Sequence, residues 1–163
     1  LPIFLNNHEK ELNIKFLPQN ISRNRNHIVC RKLTIEIPYK GYGEFYANRD
    51  LEIDTDELVV SSNTETSADQ MRTFYVCLRD SQVRVRHLVV KGSDSYAGTG
   101  GSVQSYIPII SSIKGLEKIT LDHTKNTSKK LVELIRQYGI ETEFIGDYDG
   151  NEDAIIVPPV DSL

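Results

Sequence analysis

Cysteine is scarce, two in 163 residues, which excludes a disulfide-dense secreted scaffold. Long apolar runs are missing. None approaches the roughly 20 residues that span a bilayer, so no membrane segment is expected. Positive charge is not in excess. The 19 Lys and Arg stand against 23 Asp and Glu, a net charge of −4, and this argues against a dedicated nucleic-acid binder with a basic face. Catalytic signatures are missing as well. No Gly-x-Ser-x-Gly elbow occurs, no Gly-x-Gly-x-x-Gly, and no phosphate loop closed by Gly-Lys-Ser/Thr. His8, His27, His87 and His123 have no partner at metal-ligand spacing. No metal, cofactor or catalytic residue is therefore expected, and the chain reads more as a binding protein than as an enzyme.

What is present suits one globular domain. The apolar fraction is 39%, and the length allows a sizeable core. The chain begins with Leu1 rather than Met and reads as a fragment or processed form; Leu1 to Leu5 is too short for a signal-peptide core. Cys30 and Cys77 lie on apolar patterns and are expected as buried free thiols. Sequons occur at Asn20-Ile21-Ser22 and Asn126-Thr127-Ser128. A reduced intracellular setting, cytoplasmic or nuclear, is the simpler expectation.

Periodicity divides the chain into an irregular segment or cap over 1–27, an α/β domain over 28–157, and a tail over 158–163. In the first part, Leu12, Ile14 and Phe16 alternate like a short strand. Leu33, Ile35 and Ile37 form a half-buried strand that Pro38 ends. Residues 39–52 give no assignment. Leu58 to Val60 reads as a strand. Ser67 with Gln70 forms a capping box for a helix over 68–80, carrying Met71, Phe74, Tyr75 and Leu78. Val85 to Lys91 is a strand. Val103, Tyr106, Ile107 and Ile110 suggest a second helix, short, kinked or starting at Pro108. Leu116 to Asp122 is a strand, Asn126 or Thr127 caps a third helix, Gly139 stops it, and Ile140 to Ile145 is a strand. Ile155 to Val157 suggests one more. Strands alternating with helices demand parallel pairing. The fold class is thus α/β, as a short parallel-strand solenoid or as an open doubly wound α/β sheet.

The strands also align with one another. Cys30-x-x-Leu33-x-Ile35 matches Thr55-x-x-Leu58-x-Val60, then Val85-x-x-Leu88-x-Val90, then Leu116-x-x-Ile119-x-Leu121. Asn63 follows Val60 by three residues, Thr55 stands at an aliphatic position, and Ile140-x-x-Glu143-x-Ile145 forms a degenerate last unit. The pattern resembles the leucine-rich repeat, in the ribonuclease-inhibitor-like form found in the repeat region of F-box-type proteins. The resemblance covers about residues 28–146 and implies a solenoid that binds protein partners. Each unit of such an array buries its apolar face only against its neighbours.

Strand alternation then assigns an open concave face made of Lys32, Thr34, Glu57, Val59, Ser61, His87, Val89, Lys91, Lys118, Thr120 and Asp122. Val59 and Val89 form its apolar centre inside a polar rim, which suits a protein partner. The expected function is a non-enzymatic interaction domain, such as a substrate receptor or scaffold within a larger complex. The competing reading is a phosphate-bearing ligand, even an enzyme's substrate, at the glycine-rich loop 92–102. There Ser93, Gly98, Thr99, Gly100, Gly101 and Ser102 precede a helix start. Asp147-x-Asp149-x-Asn151-x-Asp153 spaces oxygens like a calcium loop but lacks that loop's glycine and closing Glu, so it reads as a solvated acidic turn. The basic groups Arg23, Arg25, Arg31 and Lys32, and Arg84, Arg86 and Lys91, read as solvated surface.

Overall fold

Six strands repeat one pattern of inward-facing apolar residues, and stacking these residues builds the core. The computed structural model describes residues 3–15, 25–37, 51–62, 68–91, 108–122 and 129–146. The strands are β1 (Phe4–Lys15), β2 (Asn26–Ile37), β3 (Leu51–Ser62), β4 (Gln82–Lys91), β5 (Lys118–Asp122) and β6 (Glu141–Ile145). The helices are α1 (Ala68–Asp80), between β3 and β4, and α2 (Lys129–Arg136), between β5 and β6. A helical turn begins at Pro108 and ends near Ile113. The result is an α/β fold with one open, all-parallel six-stranded sheet in the order β1-β2-β3-β4-β5-β6.

The pairing register coincides with the alignment of the sequence units. Leu12, Leu33, Leu58, Leu88 and Ile119 are successive cross-strand partners, as are Ile14, Ile35, Val60, Val90 and Leu121. Cys30, Thr55 and Val85 form a third row. Thr55 fills its aliphatic position without cost. It is 1% exposed, but its hydroxyl donates to the Glu57 carbonyl at 3.1 Å and receives the Cys30 thiol. Hydrogen bonds of this kind offset the cost of taking a polar group out of water.

The strands are longer than the alternation suggests. In β3, Leu51, Ile53 and Thr55 are buried, then Leu58 and Val60; in β4, Val83 and Val85, then Leu88 and Val90. The inward phase slips by one residue at Asp56-Glu57 and at Arg86-His87, where two successive side chains face outward. β1 slips further. Asn7 pairs with Cys30 and Glu11 with Lys32, and the Asn7 side chain accepts the Glu9 N–H in the extra loop. β1 thereby extends the sheet over 12 of the residues expected to be irregular.

β6 corrects the last sequence unit. Thr142 and Phe144, not Glu143 and Ile145, continue the inward rows beside Ile119 and Leu121. No phase slip occurs between Ile140 and Thr142, so the unit is one residue shorter than its predecessors.

The helices join the sheet on one side. Phe74, Tyr75, Cys77 and Leu78 of α1, Ile109, Ile110 and Ile113 of the helical turn, and Ile135 of α2 form one core cluster with the inward strand residues. Pro108 opens its turn because its missing N–H costs nothing at a helix start. Ser111 and Ser112 both donate to its carbonyl. Gly139, at φ +77°, ends the turn after α2. Cys30 and Cys77 are free and buried. Burial pushes the Cys77 thiol up to about 11, against the opposing Ser81 hydrogen bond, so it is a neutral packing group at pH 7. No helix among the described residues is long and apolar enough to cross a membrane.

Candidate interaction face

Opposite the helices, the outward side chains also stack in rows. One row runs Glu11, Lys32, Glu57, His87, Lys118, Glu141; the next runs Asn13, Thr34, Val59, Val89, Thr120, Glu143; a third includes Glu36, Ser61, Lys91 and Asp122. The parallel register therefore brings all the residues expected on this face together on one side of the sheet.

Their exposure differs from expectation in the middle row. Val59, Val89 and Thr120 are buried, at 4%, 7% and 2%, although strand alternation places them on an open face. Val59 and Val89 nevertheless stand outside the core cluster. Lys32, Thr34, Glu57, Ser61, His87, Lys118 and Asp122 are half-buried and Lys91 is exposed. The accessible surface is thus the charged rim, with an apolar floor beneath it.

The first row carries both signs on either side of His87, and several charges on this face pair. Lys32 lies 3.9 Å from Glu57, and Lys118 lies 3.1 Å from Glu143. Arg31 pairs with Glu11, and Arg86 lies 3.6 Å from Asp56. Exposed pairs of this kind stabilise little, about 0–1 kcal/mol each, but they fix side-chain positions.

His87 ties three strands together. Its Nε2 shares a 2.6 Å hydrogen bond with the Thr120 hydroxyl, and its Nδ1 lies 3.8 Å from Glu57. Carboxylate, imidazole and hydroxyl stand in the order of a catalytic triad. Thr120 is 2% exposed, and its hydrogen bond orients the ring. Burial lowers the imidazole pKa from its ordinary 6.5; Glu57 opposes this, Lys118 adds to it, and Glu143 and Glu141 oppose it. Because the folded value lies below the unfolded one, the unfolded chain binds more protons in the window between them. Stability from this group is complete above 6.5 and is lost as pH falls toward the folded value. The melting temperature should fall between pH 7.5 and 5.5, and fall less in His87→Gln. Equal slopes in the two proteins would remove His87 as the source.

Sequence reasoning missed a groove on the first arm of this face. It holds about 380 Å³ and is lined by His27, Val29, Glu52, Asp54, Arg84 and Lys114 among others. His27 Nδ1 lies 2.8 Å from Glu52. Arg84 was visible only as one of a basic group with Arg86 and Lys91. Lys114 was not, because it reaches Arg84 through a bridge formed by the turn before β5.

Among the described residues no group of three or more His, Cys, Asp and Glu is placed to hold a metal. The glycine-rich loop with Ser93, Gly98, Thr99, Gly100, Gly101 and Ser102 lies outside the described residues, as do the acidic turn at 147–153 and the strand expected at 155–157. Comparison with protein-family models, with curated proteins and with solved structures returns no match.

Proposed function

We propose that the chain is a non-enzymatic protein–protein interaction domain, a short solenoid of leucine-rich-repeat type that takes a partner on its outward strand face. A substrate-receptor or scaffold part of a larger complex, of F-box type, is the concrete version. One observation carries the reading. The parallel strands follow one another in sequential order, while all the described helical segments contribute to one core cluster on one side. A doubly wound sheet reverses its strand order at a switch point and covers both faces with helices. A repeat array keeps sequential order and leaves a strand face for binding. The stacking of like inward residues, Leu on Leu on Leu, supports the same reading.

The test is affinity capture with the native chain and with a Lys32→Glu, Lys91→Glu, Lys118→Glu variant whose fold is confirmed by circular dichroism. His87 is left intact because its ring holds Thr120. A specific partner should be retained by the native chain and weakened at least about tenfold in the variant, or about 1.4 kcal/mol. A partner held equally by both would move the interface off these rim residues. Stabilisation by inorganic phosphate that depends on Gly100 and Gly101 would favour the ligand-binding reading instead.

A further inference from the structure

The groove on the first arm of the outward face uses none of the residues in the charged rim described above. It crosses the N-terminal ends of β2, β3 and β4. A second hollow of about 280 Å³ shares His27 and Glu52 with it and continues to Arg25 and Phe4. Phe4 is 64% exposed, the most exposed large apolar side chain among the described residues.

Charge in this groove is paired at one end, His27 with Glu52, and held apart at the other. Arg84 and Lys114 are bridge partners and both are exposed. Among the described residues, neither has a carboxylate within 4.0 Å, whereas Arg86, Lys32 and Lys118 each have one. Asp54 is the cross-strand partner of Arg84, yet the two form no ion pair. Arg84 has a seat beside Gly115 instead. Gly115, at φ +79°, leaves room that a Cβ would fill at 3.0 Å from Arg84 Cγ and 3.3 Å from its Nε. The arginine stem rests against this glycine. Two cations thus stand at one end of the groove, Asp54 lies beside them, and the His27–Glu52 pair lies beyond.

We propose that this groove binds an extended peptide segment of a partner protein. An acidic side chain of that segment pairs with Arg84 and Lys114, and a basic side chain about two residues along meets Asp54 and Glu52. A seated guanidinium suits this role, because it grips a carboxylate through two parallel hydrogen bonds and loses little freedom in doing so. From β4 to β1 the groove spans roughly 14 Å at about 4.8 Å per strand, the reach of four to five extended residues. An apolar side chain at the far end of such a segment would cover Phe4. The proposal rests on the interaction function above but assigns a different patch.

The test is a displayed library of random heptapeptides selected on the native protein. Selected sequences, made with a fluorescein label, are then measured by fluorescence polarisation. They should carry Asp or Glu with Lys or Arg about two residues away. Binding should weaken at least tenfold with Arg84→Glu plus Lys114→Glu, and change less than twofold with Lys91→Glu plus Lys118→Glu. Arg84→Lys should lose part of the affinity, since the charge stays and the fork goes. Peptides that lack an acidic residue, or that bind the Arg84/Lys114 variant as tightly as the native chain, would overturn the assignment. Peptides lost only in the Lys91/Lys118 variant would overturn this groove and retain the interaction function. Failure to enrich any sequence would overturn the groove, leaving the capture experiment to judge the wider reading.

Discussion

Leu88→Ala should destabilise the chain by about 3–4 kcal/mol, near the middle of the range for buried leucine truncations. Leu88 is fully buried and sits on β4 between Leu58 and Ile119. α1 packs on the same strand. The substitution removes apolar surface from the core and leaves a cavity that flanking strands cannot close without breaking their ladders. A domain's whole stability is about 5–15 kcal/mol, so the loss would be a large share of it. Leu12→Ala supplies the comparison. Leu12 occupies the same stacked row but lies on the edge strand and is only half-buried. Its truncation should cost about 1 kcal/mol. Urea denaturation of both variants measures the difference. Equal losses would mean that the end of the row is as well covered as its centre, against the edge position of β1.

That comparison also shows why the fold was partly legible. The rows Leu33-Leu58-Leu88-Ile119 and Ile35-Val60-Val90-Leu121 are what the aligned units predict. Stacking in register requires like residues at like positions, so the sequence repeats where the structure repeats. α1 was legible at its stated limits because a capping box and a helical apolar stripe agree. The first arms of β3 and β4 were not. A test for alternation fails where the inward phase slips, and the runs Leu51-Ile53-Thr55 and Val83-Val85 are each too short to register separately. β6 was misread by one residue for the opposite reason, since the expected slip does not occur there.

The outward face divides in the same way. Which residues share it follows from alternation plus register, and both were available. How deep each lies does not follow. Burial of an outward residue depends on what packs over it from elsewhere in the chain, as His87 shows by bonding Thr120 from the adjacent strand. The groove was illegible for a different reason. It depends on where a turn carries Lys114, and on a glycine whose role is to leave space for an arginine 31 positions earlier, residue 115 against residue 84.

That glycine is the second place where one substitution should have a large effect. Gly115→Ala should cost about 2–3 kcal/mol. At φ +79°, a side chain adds roughly 1–2 kcal/mol of backbone strain. The new Cβ also meets Arg84 Cγ at 3.0 Å, so the arginine stem must give by a few tenths of an ångström. Gly139→Ala separates the two contributions. Gly139 has nearly the same φ, +77°, but nothing lies within 4 Å of the added atom, so only the backbone strain remains and the cost should be near 1 kcal/mol. Equal losses at the two sites would mean that Arg84 gives way freely. A larger loss at Gly115 would mean that the seat holds the guanidinium in place. In that case Gly115→Ala should also weaken the selected peptides, while Gly139→Ala leaves their affinity unchanged. Stability and binding would then move together at one glycine and separately at the other, a result that a purely structural role for Gly115 does not give.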